Sequence, residues 1–184
     1  MLYSARMLRP FGAFSGPLVI LIAAAIPCAE ARAADGDRPA DSSLAQRNPI
    51  EQLRRDAEHG NEKAQYLLGC CYNGDRGLQR DPAEAAKWWG RAAAKGVADA
   101  QYCLGLSYSL GQGVPRDPAE AARWWRKAAD QDHADAQYFL ALSYCAGLGV
   151  PKSPPMASYW LTRSASQGNK AALEMLRKIG PSPG

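Results

Sequence analysis

The chain has 184 residues, 47% of them apolar and 22% charged, with 22 Lys and Arg against 18 Asp and Glu. That is enough for one domain with an ordinary core. A charge so close to balance gives no electrostatic reason to expect nucleic acid or a membrane surface as partner.

In chain order, Arg6 and Arg9 precede nine uninterrupted apolar residues, Leu18 to Ile26, and Ala31-Arg32-Ala33 has a small-x-small form. Residues 1–33 therefore read as a secretory signal peptide cut near Ala33/Ala34, which places the expected mature protein in the periplasm or outside the cell. Nine helical residues rise about 14 Å, roughly half a bilayer core, so no membrane span is expected after cleavage. Without that segment 19 basic and 17 acidic residues remain, three and one having gone with it. Residues 34–47 are polar and lack a helical period, and read as a mobile leader. Asn48-Pro49-Ile50-Glu51 then opens a capping helix within residues 48–63, with Asn as cap, Pro at the first helical position and Gly60 as the stop.

From Ala64 the chain repeats itself every 36 residues. Residues 64–99 and 100–135 share 20 identities, and residues 136–171 keep Tyr138, Leu140, Tyr144, Gly147, Gly149, Val150, Trp160 and Ala165. Self-similarity at this period means stacked helix pairs, so the expected fold is an all-α solenoid of helix-turn-helix repeats. In the first helix Ala64, Leu67, Leu68, Cys71 and Tyr72 form one apolar stripe. A glycine-bearing loop follows, Gly111-Gln112-Gly113-Val114 in the second repeat. Asp81 then caps the second helix with Pro82 at its start and Glu84 set to complete a capping box, and Asp117, Pro118 and Glu120 repeat those roles. Trp88 and Trp89, like Trp124 and Trp125, fall on a stripe with alanines, which predicts large-into-small packing with buried tryptophans. Residues 172–184 form a C-terminal capping helix and tail.

Catalytic or metal chemistry finds no foothold. His59 and His133 have no carboxylate or cysteine at metal-ligand spacing and read as exposed turn residues. No Ser-x-x-Lys occurs, and the acidic pairs are capping residues. Neither a catalytic residue, a metal nor a cofactor is expected. Cys70, Cys71, Cys103 and Cys145 lie in first helices at different heights, which leaves open buried thiols or one inter-repeat bridge.

The pattern Ala-x-x-x-Leu-Gly-x-x-Tyr, a Gly-x-Gly-Val loop, Asp-x-x-x-Ala before the tryptophans and a closing glycine resembles the Sel-one-like repeat, a relative of the tetratricopeptide repeat. The resemblance covers residues 64–171, with half-repeats on either side. It implies a right-handed α-solenoid of about three repeats that holds partner proteins on a concave face lined by first helices. It also implies kinship with cysteine-rich exported members that carry a disulfide in each repeat and bind β-lactams; this chain lacks that regular cysteine pair. Residues two, five, six and nine places after the repeat alanine, Gly69 and Gly105 among them, point away from the apolar stripe. They place Tyr66, Tyr102 and Tyr138 in a row, with Leu106 and Leu142 beside it, as a candidate surface for a peptide or partner helix. The expected function is an exported, non-enzymatic adaptor that contacts proteins or peptides of the cell envelope. The alternative is a cell-wall-associated protein that binds peptidoglycan fragments or β-lactams with weak or no hydrolysis.

Overall fold

The computed structural model describes residues 49–75 and 78–179. The expected signal and leader, together with Asn48, lie outside the described residues. Eight α-helices follow one another: α1 (Pro49–Glu58), α2 (Glu62–Cys70), α3 (Pro82–Ala94), α4 (Ala98–Leu110), α5 (Pro118–Ala129), α6 (Ala134–Ala146), α7 (Pro154–Ser166) and α8 (Lys170–Ile179). Among the described residues there is no strand. Each helix packs chiefly on the helices before and after it in the chain, as a solenoid requires. α2, α4 and α6 are the first helices of three repeats and α3, α5 and α7 the second. Among the described residues α1 is a second helix with no first before it, and α8 a first helix with no second after it.

Within a repeat, an indole lies on a glycine. A Cβ on Gly69 would sit 2.5 Å from the Trp89 ring, and one on Gly105 2.5 Å from the Trp125 indole nitrogen. These glycines are therefore the floor of the hairpin, not part of an outward face. The third repeat has Ala141 and Leu161 at the same places, both buried. Leucine in place of the indole leaves room for the extra methyl. Trp88, Trp89, Trp125 and Trp160 are buried as expected from the alanine stripe, but Trp124 is only half-buried.

Between repeats, one polar contact recurs. Gln65, Gln101 and Gln137 are buried, and their amides donate to the carbonyls of Ala57, Ala93 and Ala129 at 3.0–3.1 Å. Each ties a first helix to the last turn of the preceding second helix, where orphan carbonyls need donors. Gln131 and Gln167 complete two of these links by donating to the side-chain oxygens of Gln101 and Gln137 at 2.8 Å. At the corresponding place the first repeat has Lys95, which turns to the carbonyl of Gly60, and Gln65 Oε1 is left buried without a partner.

The loops also join repeats. Gly113 (φ 75°) lies so close to the start of α3 that a Cβ there would fall 2.0 Å from the Pro82 carbonyl oxygen, and Gly149 meets Pro118 in the same way. The first repeat differs at the end of its first helix: among the described residues its left-handed glycine is Gly74, one place ahead of the register of Gly111 and Gly147, and residues Cys71–Asp75 form a π-turn. The second helices start as predicted, with Asp81 and Asp117 each accepting from two backbone N–H groups. The return half of the capping box does not form, because the backbone N–H groups of Asp81 and Asp117 already donate to the carbonyls of Tyr72 and Tyr108. Glu84 and Glu120 turn instead to Lys87 and Arg123. Ser153, the third cap, makes no side-chain cap bond.

Candidate partner-binding surface

The first-helix face carries the predicted row, and burial divides its members. Tyr66, Tyr138 and Leu142 are half-buried, whereas Tyr102 and Leu106 are 7% and 4% exposed. Tyr102 is covered from the next first helix and its cap: His133 stacks on it with centroids 4.8 Å apart, and Phe139 tilts against it at 5.8 Å. Phe139 also stacks on Trp125 at 5.2 Å and meets the edge of Tyr138 at 5.6 Å. The middle of the row is thus an aromatic cluster bridging the second and third repeats, with Tyr66 and Tyr138 at the accessible ends.

His133 holds this cluster from the start of α6. Its Nδ1 accepts from the Ala136 N–H at 3.2 Å, which requires the proton on Nε2, and Nε2 faces Asp99 Oδ1 at 3.3 Å. An exposed turn residue was expected here; instead its side chain is 15% exposed and serves as helix cap, as ring partner and as neighbour to the Asp99 carboxylate together. Asn61, two repeats earlier, and Asn169, one repeat later, fill the same cap position, accepting from Ala64 and Ala172, while Val97, the cap of α4, offers no acceptor. His59 is exposed, as expected, and its Nδ1 bonds the Arg55 carbonyl at 2.7 Å.

Around Tyr138 the face turns polar. Burial pushes the Tyr138 hydroxyl above its ordinary pKa, Glu174 adds to that, and Lys178 opposes it. Glu174 and Lys178 pair across one turn of α8 at 2.8 Å, and their hydrogen bond holds the Glu174 carboxyl below its usual range. Cys145 is half-buried, and burial raises its thiol against the opposing charge of Lys152. Cys70, Cys71 and Cys103 are buried.

The second-helix face has its own chemistry, which the sequence reading passed over. A cation three places on lies over each tryptophan of one row: Arg91 Cζ is 4.3 Å from the Trp88 centroid, Lys127 Nζ 3.8 Å from Trp124 and Arg163 Cζ 5.7 Å from Trp160. Trp160 receives a second cation from the preceding repeat, Arg126, at 5.2 Å. One repeat earlier that position is Gly90, so nothing equivalent reaches Trp124. The signal for this, a glycine at residue 90 where residues 54 and 126 are arginine, was present in the sequence.

These repeats are those of a known family. The Sel1 repeat profile matches residues 62–97, 98–133 and 134–169, with the same period and a phase two residues ahead of that read from the alanines. The chain belongs to the Sel1 repeat family. Sel1-repeat proteins are in general protein-interaction scaffolds. Among solved structures, the chain is similar to a Sel1 repeat protein from Oxalobacter formigenes, at 34% identity and a TM-score of 0.64 over 70% of this chain and 97% of that one. It is also similar to a protective antigen present in uropathogenic Escherichia coli strains and displaying an SLR fold, at 37% identity and a TM-score of 0.69. That match covers 71% of this chain and 28% of the antigen, so the chain spans under a third of that relative. Cysteine-rich protein B of Helicobacter pylori shares the fold, with a TM-score of 0.57 at 20% identity over 70% of this chain and 98% of that one. No curated protein matches the sequence. Among the described residues no group of three His, Cys, Asp or Glu could hold a metal ion, and no helix is long and apolar enough to cross a membrane.

Proposed function

We propose that this Sel1-repeat chain is an exported, non-enzymatic adaptor that holds a protein or peptide of the cell envelope against its first-helix face. The observation that supports this most is the row of aromatic and aliphatic side chains repeated at 36-residue spacing, with Tyr66, Tyr138 and Leu142 only half-covered. A half-exposed tyrosine offers a large rigid contact area and a hydroxyl, the combination enriched at binding hot spots. Tyr102 and Leu106, in the middle of the row, are buried. Export rests on the basic, apolar and small-residue pattern of the first 33 residues.

The reading is tested by affinity capture from envelope extracts with the full chain, followed by mass spectrometry. Tyr138→Ala combined with Leu142→Ala removes accessible contacts at one end of the row. A set of envelope proteins retained by the wild type and lost by this helical variant is the expected result. An unchanged set would remove the first-helix face from the account, and a mature protein found only in the cytoplasmic fraction would remove export.

A further inference from the structure

We infer that the second-helix face carries a separate docking cleft for an acidic peptide with an apolar anchor residue, centred on Trp124. The cleft lies between α5 and α6 and measures about 570 Å³, within the usual range for a ligand site. Its floor and walls are apolar: Leu140, Val150 and the half-buried rings of Trp124 and Tyr144. Its rim is cationic, with Arg123, Arg126 and Lys127 against the single carboxylate of Glu120.

Two observations separate this place from ordinary surface. Trp124 lacks the second cover that Trp160 receives, because Gly90 stands where Arg126 stands one repeat later. A large indole is therefore left partly open at a position that is closed over Trp88 and Trp160, which are 7% and 2% exposed. The cations are also unequally occupied. Arg123 is bonded to Glu120, and Arg126 to Asp130 and the Tyr144 hydroxyl, but among the described residues no carboxylate pairs with Lys127. A guest that presents a carboxylate to Lys127, whose ammonium rests over the Trp124 ring, while laying an apolar side chain against Leu140 and the accessible part of that indole, meets both features at once. Charge complementarity selects the acidic guest. A single cleft on a chain this close to neutral does not extend into the basic stripe that tracks a nucleic-acid backbone. The cleft is independent of the first-helix row, so either can fail alone.

The test is selection of a displayed random decapeptide library on the immobilised full chain, followed by anisotropy titration of the fluorescein-labelled consensus peptide. Peptides rich in Asp and Glu beside Phe, Leu or Trp are expected. Their binding should weaken at least about tenfold in Trp124→Ala and in Lys127→Glu, and stay unchanged in the Tyr138→Ala, Leu142→Ala protein. Lys127 is exposed, so Lys127→Glu leaves the fold intact and, combined with Arg123→Glu, should turn the selection toward Lys- and Arg-rich peptides. Acidic peptides that bind all variants equally, a selection with no charge preference, or preferential binding of a single-stranded oligonucleotide would each overturn the proposal.

Discussion

His133 shows how much one residue can do at a repeat junction. It caps α6, stacks on Tyr102 and faces Asp99, and no rule about histidine as a residue type would place all three there. The cap position it fills recurs every 36 residues as Asn61, Val97, His133 and Asn169, and only Val97 leaves the first N–H groups of its helix without a side-chain acceptor. A missing cap costs a helix about 1 kcal/mol. We expect Val97→Asn to raise the unfolding free energy by about 0.5–1 kcal/mol, the lower part of the cap range because a half-buried valine gives up some apolar contact. Urea titration followed by circular dichroism measures it. A midpoint that falls would mean the valine's packing outweighs the cap.

At the scale of the element, the loop glycines matter for different reasons. Gly111 and Gly113 both have positive φ, but an added Cβ on Gly111 comes no closer than 3.2 Å to Arg116, at its Cβ, whereas on Gly113 it meets the backbone of α3 at 2.0 Å. A small shift of the loop relieves the first contact; a capped helix terminus cannot move far enough to relieve the second. Gly113→Ala should therefore cost about 2–4 kcal/mol, combining left-handed strain with overpacking, and Gly111→Ala about 1 kcal/mol from strain. Thermal unfolding of the two proteins side by side checks the order, and equal losses would show that the loop does not rest on Pro82. The glycines themselves were legible from sequence as turn residues, as were the helices, the Asp81 and Asp117 caps and the period. What the loop touches was not, because that contact runs between residues more than 30 apart in neighbouring repeats. The same limit explains Trp124. Its stripe position predicts burial, yet it is half-buried, and the previous second helix offers it Gly90 where Arg126 lies over Trp160, a contact between repeats that helical periodicity does not contain. Gly69 and Gly105 failed in the opposite sense: counted around the helix they point outward, but the tryptophan of the following helix reaches over them.

Across the whole molecule, stability is a chain of junctions, each helix pair held chiefly to its neighbours. The glutamine links make these junctions unequal. Gln101 and Gln137 are bonded at both ends of their amides, Gln65 leaves its oxygen unpaired, and the next residue in that series is Leu173, which is 41% exposed and has no amide to offer the last turn of α7. Opening should therefore begin at α8, reach α1 and α2 next, and leave α4 to α7 protected longest. Leu173→Gln extends the series by one link, its amide placed to donate to the Ala165 carbonyl as Gln137 does to Ala129, while removing an exposed leucine. A net hydrogen bond of about 1 kcal/mol corresponds to roughly fivefold slower opening, so amides of α8 should exchange about five times more slowly in the variant and those of α4 should not change. Hydrogen exchange read by mass spectrometry resolves the two segments. Slower exchange in α4 as well would mean that the stack opens as one unit, and unchanged exchange in α8 would mean that the glutamine does not hold one repeat to the next.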